Sequence, residues 1–254
     1  MILVLTGTKE SRDILDLLQH EGLEVMAAAF TDYGRDIAQE KGEKIFPGEL
    51  NFENLSAILE KNKINFVIDA SNPFATQTSK MISKLCQSKD IAHVHFVREE
   101  VKIPNNSLIH TVTTWQEGAD KAFELGNSIF LTTGTNNLEI FLEHPSAPGK
   151  RIVVRVLPDH KVLKKCQDFG LKLKDIIAMQ GPFSKEMNRV MFKTFNAGVV
   201  VIKESGRAGG TDTKISAALE LKIPLVIIKR PTFSCHLEVK DYLTLMQTVK
   251  KAIR

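Results

Sequence analysis

Residues 2–18 read Ile2-Leu3-Val4-Leu5-Thr6-Gly7-Thr8-Lys9-Glu10-Ser11-Arg12-Asp13-Ile14-Leu15-Asp16-Leu17-Leu18. Four consecutive apolar residues lead into a short polar turn around a glycine, and then into a stretch where Ile14, Leu15, Leu17 and Leu18 share one helical face. A strand that is apolar at every position has no face for water. Followed directly by an amphipathic helix, it belongs to a parallel sheet covered on both sides. The same unit recurs along the chain. Strands are predicted at Ile2–Leu5, Glu24–Phe30, Phe66–Asp69, His93–Val97, Ser107–Val112, Ile129–Thr132, Arg151–Val156, Ile176–Met179, Val199–Lys203 and Leu225–Ile228. Helical stretches lie between most of them, such as the one placing Met187, Val190, Met191 and Phe195 on one predicted buried side.

That many strands would overfill one open twisted sheet, so two sheets are expected. The alternation weakens at residues 98–107, REEVKIPNNS, where charges, Pro104 and paired asparagines collect. The expected architecture is α/β, with a first lobe over residues 1–100 and a second over 101–254. No internal repeat or low-complexity segment is evident.

Composition narrows the function classes. The chain has 254 residues, 43% of them hydrophobic and 25% charged, which suits a soluble globular protein. No stretch approaches the ~18 apolar residues of a membrane span. Met1–Leu5 carries neither the basic region nor the cleavage site of a secretory signal, so a cytoplasmic protein is expected. Cys86, Cys166 and Cys235 are far apart, which disfavours a disulfide framework or a zinc site. Net charge is +4, with pI ≈ 8.8. Lys and Arg are interleaved with Asp and Glu; even the densest basic run, residues 161–174, has a single aromatic, Phe169, rather than aromatics interleaved for base stacking. This argues against a nucleic-acid partner, and a modest positive field also suits an anionic small molecule.

Ligands of doubly wound sheets bind at the carboxyl ends of strands. Thr6-Gly7-Thr8-Lys9-Glu10-Ser11 follows the first strand and combines a glycine turn, three hydroxyls and a helix start. It reads either as a phosphate turn or as an ordinary glycine turn, since GxGxxG is absent. Thr31-Asp32-Tyr33-Gly34-Arg35 occupies the ribose-reading position with both an acid and an Arg. NAD and NADP chemistry therefore both stay open, as does a plain polar turn. Asp69-Ala70-Ser71-Asn72-Pro73 is more polar than packing requires; Asn72 could meet a ligand, or Ser71 or Asn72 could cap the next helix.

In the second lobe, Thr132-Thr133-Gly134-Thr135 repeats the hydroxyl-plus-glycine pattern. Ser184 is placed to cap the helix after Gln180-Gly181-Pro182-Phe183. Residues 203–211, Lys-Glu-Ser-Gly-Arg-Ala-Gly-Gly-Thr, bring three glycines within five residues, with Lys203 and Arg207 beside them, into a helix start. Such a loop suits an anion held at backbone amides. On that reading Gly206→Val or Gly209→Val damages binding more than folding. Arg155, within an apolar strand, could pair with a ligand carboxylate or with a neighbouring acid. GxSxG, GxxxxGK[ST] and HExxH are absent, and the seven histidines, including the His93/His95 pair, show no metal-ligand spacing.

The stretches ILVLTGTKESRDIL, FVIDASNPFA, SIFLTTGTNNL, IVVRVLP, IAMQGPFSKEMN and VVVIKESGRAGGTDTKISAALELKIPLVIIKRP, in this order, resemble the precorrin-6A reductase family over nearly the whole chain. The resemblance implies two Rossmann-like lobes with parallel sheets and a cleft between them. It also implies hydride transfer from NADPH or NADH to a ring C=C bond of an anionic tetrapyrrole, in cobalamin biosynthesis. Carried over by position, cofactor contacts are Thr6, Gly7, Thr8, Glu10, Tyr33 and Asn72, with Thr133 and Gly134. Substrate or cleft contacts are Gln180, Gly181, Pro182, Phe183, Lys203 and Ser205, with Gly206, Arg207, Gly209, Gly210 and Lys214. No catalytic acid is assigned, which is consistent with a proton from water, and no metal is expected. The family's first loop commonly reads Gly-Gly-Thr; with Thr6 here, its side chain must point away from a pyrophosphate or donate its hydroxyl. A nucleotide-binding regulatory module and a two-lobed transferase are the rival readings. Whether the substrate holds cobalt, and the oligomeric state, stay open.

Overall fold

The computed structural model describes residues 1–29, 35, 44–46, 51–233, 235 and 237–253. Asp32, Tyr33 and Gly34 of the predicted ribose turn lie outside the described residues. The chain forms two compact units: Met1–Glu99 with Pro231–Arg254, and Glu100–Arg230.

The first unit is built around β1 (Ile2–Leu5), whose four residues are all buried. Ile2 and Val4 enter one core with Ile14, Leu15 and Leu18 of α1 (Lys9–His20) and Leu245, Met246 and Val249 of α9 (Tyr242–Ala252). Leu3 and Leu5 enter the opposite core with Leu55 and Leu59 of α2 (Phe52–Lys61) and Ile82, Leu85 and Cys86 of α3 (Thr76–Ser88). Successive side chains of a strand point to opposite faces, so helices on both sides account for the unbroken apolar run. With β2 (Val25–Ala28), β3 (Phe66–Asp69), β4 (Ala92–Phe96) and β11 (Glu238–Val239), the sheet order is β11-β4-β3-β1-β2. The named strand pairs are all parallel. Leu5 is level with both Ala28 and Asp69, which brings the loops after β1, β2 and β3 to one end.

The second unit holds β5 (Ile109–Val112), β6 (Ser128–Leu131), β7 (Arg151–Val156), β8 (Ile176–Ala178), β9 (Val199–Lys203) and β10 (Leu225–Ile228). Their order is β5-β10-β9-β6-β7-β8, again all parallel. One face packs on α7 (Lys185–Thr194) and α8 (Thr211–Glu220) through Met191, Phe192, Ile215, Ala217 and Ala218. The other carries α4 (Trp115–Leu125), which packs on β9 and β10. The short α5 (Leu138–Leu142) and α6 (His160–Asp168) complete the unit.

Three expectations are revised. The second lobe does not run from 101 to 254, because residues from Pro231 onward rejoin the first unit. An amphipathic helix such as α9 must cover a sheet, but its pattern does not say which one. The eleventh strand, two residues long with one of them buried, is too short to show a period. On α7, Met187 and Val190 are 42% and 52% exposed, whereas Asn188, Met191 and Phe192 are buried. The buried stripe is therefore rotated by about one position from the predicted one.

Candidate functional site

In each sheet the chain winds outward in one direction and then in the other. The reversal falls between β1 and β3 in the first unit and between β6 and β9 in the second. Loops diverge at such a point and leave a crevice at the carboxyl ends of the strands.

The first reversal carries Thr6, Gly7, Thr8 and the loop of Asn72. Thr6 is buried, and both its amide (2.8 Å) and its hydroxyl (3.3 Å) donate to the Ala28 carbonyl. Its hydroxyl is thus turned onto β2, the way a residue bulkier than glycine is accommodated here. Gly7 has φ +127°, and a Cβ placed on it would meet nothing within 4 Å. Backbone conformation selects glycine, and open space remains over the start of α1. Thr8 caps α1 in a capping box: its hydroxyl accepts from the Ser11 amide, and the Ser11 hydroxyl accepts from the Thr8 and Gly7 amides. The first-turn amides of Lys9 and Glu10 are the remaining helix-end donors. The Thr8 hydroxyl also donates to the Ala70 carbonyl at 2.9 Å, tying the turn after β1 to the turn after β3. Glu10 pairs with Arg98 at 2.6 Å.

The predicted cap of α3 is not formed by Ser71 or Asn72. The helix starts at Thr76 behind Ala75, without a side-chain cap, and Asn72 instead accepts from the Phe74 amide at 3.0 Å. Behind it lies Asp69, fully buried, accepting from the Ser71 amide at 3.0 Å. His95 Nδ1 is 3.2 Å from Asp69 Oδ2, an ion-pair distance, although the two atoms are not aligned as a hydrogen bond. Burial pushes the Asp69 pKa up, but His95 and the hydroxyls of Ser71 and Ser79 outweigh it and hold the carboxyl at about 2.

In the second unit Thr132 repeats the Thr6 device, donating to the Val201 carbonyl through its amide (3.0 Å) and hydroxyl (3.2 Å). Thr133 and Gly134 follow at the second reversal, with Thr133 buried. Across the reversal stands the glycine loop, and five of its amides are engaged within it. Ser205 donates to the Thr211 hydroxyl, Gly206 to Glu204, Gly209 and Thr211 to the Gly206 carbonyl, and Gly210 to the Arg207 carbonyl. A Cβ on Gly209 would stand 2.8 Å from the Ser205 carbonyl oxygen, so this glycine permits a close approach of backbone to backbone. Much of this loop's backbone is therefore spent on internal packing. Arg207 is exposed, 3.9 Å from Asp212. Glu204, 3% exposed, clamps the loop by accepting from Val101 and Gly206 and pairing with Arg230 at 2.5 Å.

Two cations of this unit are buried. Arg155 is 5% exposed; its guanidinium contacts Asn188 Oδ1 (2.8 Å) and Met191 Sδ (3.3 Å), and lies 4.1 Å from the Phe183 ring centroid. Lys214 is 7% exposed, with Nζ donating to the Gly209 carbonyl at 2.8 Å. Burial pushes Arg155 down to about 10. Burial, then the fields of Arg155 and Lys203, push Lys214 down to about 7 against the pull of Asp212. Phe183 is joined to the glycine loop by Thr213, whose hydroxyl reaches both the Phe183 and Gly210 carbonyls. Ser184 caps α7 as expected, and Gln180, Gly181 and Pro182 form the exposed turn before it. The side chains Phe183, Lys203 and Lys214 thus share one neighbourhood with Arg155, which sequence reasoning weighed but left out of the site. Its signal was a charge inside the apolar run IVVRV.

The model of the family "Precorrin-6x reductase CbiJ/CobK" matches residues 1–253. The chain belongs to this family. The cobalt-precorrin-6A reductase of Priestia megaterium is 34% identical over 91% of each chain. That of Methanothermobacter thermautotrophicus is also 34% identical, over 91% of this chain and 76% of the relative. The precorrin-6A reductase of Rhodobacter capsulatus is 25% identical over 91% of this chain and 88% of the relative. Among solved structures, CobK precorrin-6A reductase superposes with a TM-score of 0.80 at 23% identity, covering 99% of this chain and 96% of that one. The two parallel-sheet units of this family member therefore follow a known fold. No described helix is long and apolar enough to cross a membrane.

Proposed function

We propose that this reductase-family chain adds a hydride to a ring C=C bond of cobalt-precorrin-6A, with the nicotinamide cofactor bound at the first unit's reversal and the macrocycle's carboxylates bound by the second unit's cations. The observation that carries the reading is the burial of Arg155 and Lys214 among neutral contacts. Buried cations are costly unless a counter-charge accompanies them, and an anionic ligand supplies one. Tetrapyrrole precursors carry several carboxylates around an apolar ring system. Phe183 beside Arg155, with Leu157, Met179 and Met187 left 37–42% exposed after β7, after β8 and in the first turn of α7, offers apolar area next to the charges.

The first unit fits a dinucleotide in a limited, physical sense. Gly7 leaves an open cradle over the α1 N-terminus, Thr8 fixes that terminus, and Thr6 is folded out of the way. The bound reduced nicotinamide supplies the hydride. The residues of this chain bind and orient: Thr8 and Ser11 shape the phosphate turn, Arg155 and Lys214 hold carboxylates, and Phe183 fixes the Arg155 guanidinium plane. The proton for the neighbouring ring carbon comes from water. The cobalt form is preferred because the relatives named for it reach 34% identity, against 25% for the Rhodobacter protein named for the metal-free form.

Anaerobic turnover with cobalt-bound and metal-free precorrin-6A, each with NADPH and with NADH, tests the proposal. Nicotinamide oxidation that requires the cobalt-bound macrocycle is expected. No oxidation with any of the four pairs rejects the reductase reading, and equal or faster turnover of the metal-free compound rejects the cobalt preference.

A further inference from the structure

Asp69 is a carboxyl at zero exposure whose surroundings hold its pKa at about 2. Retaining such a charge destabilises a core relative to an apolar side chain of similar size, so the residue calls for a purpose beyond packing. Its surroundings supply one. Asp69 and His95 are level on the adjacent strands β3 and β4. The His95 backbone is held on its other side by β11, where its amide donates to the Leu237 carbonyl at 2.9 Å. The His95 ring stands edge-on to Phe233, with centroids 5.5 Å apart at 84°. The other imidazole on this face, His93, is pushed down to about 4 by burial, and it is His95 whose Nδ1 lies within ion-pair distance of Asp69 Oδ2.

We propose that His95 is a positioning residue for cofactor binding: it holds Asp69, Asp69 holds the Ser71 amide, and the turn so fixed presents the Ala70 carbonyl to the Thr8 hydroxyl at the cap of α1. Each link is a short contact: His95 Nδ1 to Asp69 Oδ2 at 3.2 Å, Ser71 amide to Asp69 Oδ1 at 3.0 Å, Thr8 hydroxyl to Ala70 carbonyl at 2.9 Å. Without the imidazole, Asp69 is free to turn or to take up a proton, and the 70–72 turn loses its anchor. The Thr8 hydroxyl then loses a partner placed to within hydrogen-bond tolerance, and the cradle over Gly7 shifts. His95 touches no ligand on this account and acts entirely through Asp69.

The inference rests on the reading that the nicotinamide cofactor binds at the β1/β3 reversal. The test compares the wild-type chain with His95→Leu and His95→Asn, the latter offering an amide donor near the position of imidazole Nδ1. NADPH and NADH dissociation constants are measured by fluorescence titration, with kcat at saturating cofactor and KM for cobalt-precorrin-6A. Leaving a buried charged group without one of its polar partners changes an equilibrium by about tenfold or more. His95→Leu is expected to weaken cofactor binding about tenfold while kcat and the tetrapyrrole KM stay within about twofold, and His95→Asn is expected to restore most of the affinity. A His95→Leu protein that binds cofactor like the wild type overturns the inference. So does one in which cofactor binding, tetrapyrrole KM and thermal stability decline together without rescue by His95→Asn. If His95→Leu does not fold, His95→Asn alone decides: near-wild-type cofactor affinity supports the inference, and a tenfold loss overturns it. Failure of the wild type itself to bind either nicotinamide rejects the underlying cofactor reading, and the inference with it.

Discussion

Replacing Lys214 with Met should stabilise the protein at neutral and acid pH and not at alkaline pH. In the unfolded chain this lysine titrates near its ordinary 10.5; in the folded unit burial and the fields of Arg155 and Lys203 bring it down to about 7. Below pH ~7 both states carry the charge, and the native state bears the full penalty of holding it. Between about 7 and 10.5 the unfolded chain binds a proton that the native state has released, so stability rises with pH across this window. At about 1.4 kcal/mol per tenfold change in proton affinity, the fall from 10.5 to about 7 corresponds to a penalty of about 5 kcal/mol. Lys214→Met removes the titration and also the hydrogen bond to the Gly209 carbonyl, whose loss costs about 1 kcal/mol. The variant should therefore be several kcal/mol more stable than wild type at pH 6 and about 1 kcal/mol less stable near pH 10.5, with the curves crossing between. Urea denaturation midpoints at pH 6, 8 and 10 measure this directly. A difference between the two proteins that stays constant with pH refutes the buried, mutually repelling cation pair. The same pair predicts that wild-type affinity for the anionic substrate falls as pH rises above about 7, because the neutral amine no longer attracts a carboxylate.

Other substitutions separate binding from folding. Arg155→Met keeps the buried volume and removes an ion whose contacts are neutral, so substrate KM should rise at least about tenfold with stability unchanged or increased; a substrate KM within twofold of wild type contradicts the assignment. Gly209→Ala forces a Cβ to within 2.8 Å of the Ser205 carbonyl oxygen and should cost about 1–3 kcal/mol, with binding and thermal stability falling together. A selective loss of binding would restore the backbone-cradle reading of that loop. Glu204→Ala removes the carboxylate that pairs with Arg230 and accepts from the Val101 and Gly206 amides, at a cost of about 3 kcal/mol measurable by denaturation. Thr8→Ala removes a helix cap and the link to Ala70; about 1 kcal/mol of stability should go, with a larger proportional loss of cofactor affinity than of substrate affinity.

Runs such as Ile2–Leu5 and Val199–Lys203 declare buried parallel strands without any long-range information, because a residue sequence with no polar face has only a doubly covered sheet to occupy. The loops that follow them were therefore legible as ligand positions, as was the Ser184 cap, whose bond closes within three residues. Partnership between distant segments was not legible. Nothing local in Asp69 and His95 indicates that they stand level on neighbouring strands. Nothing in residues 203–211 reveals that the amides of Ser205, Gly206, Gly209, Gly210 and Thr211 bond within the loop, since the same glycines suit an anion cradle and a tightly folded loop equally well.

By itself the sequence determined the α/β class, two sheets, the positions of β1 to β10 and, through its ordered motifs, the family. Tertiary structure alone decided that residues from Pro231 onward return to the first unit, that Arg155 and Lys214 are buried cations beside Phe183, and that Thr6 turns its hydroxyl onto β2. The division has one cause. Periodicity and capping are set by neighbours within a turn or two of chain, whereas burial, charge compensation and sheet membership depend on segments that meet only when the chain has folded.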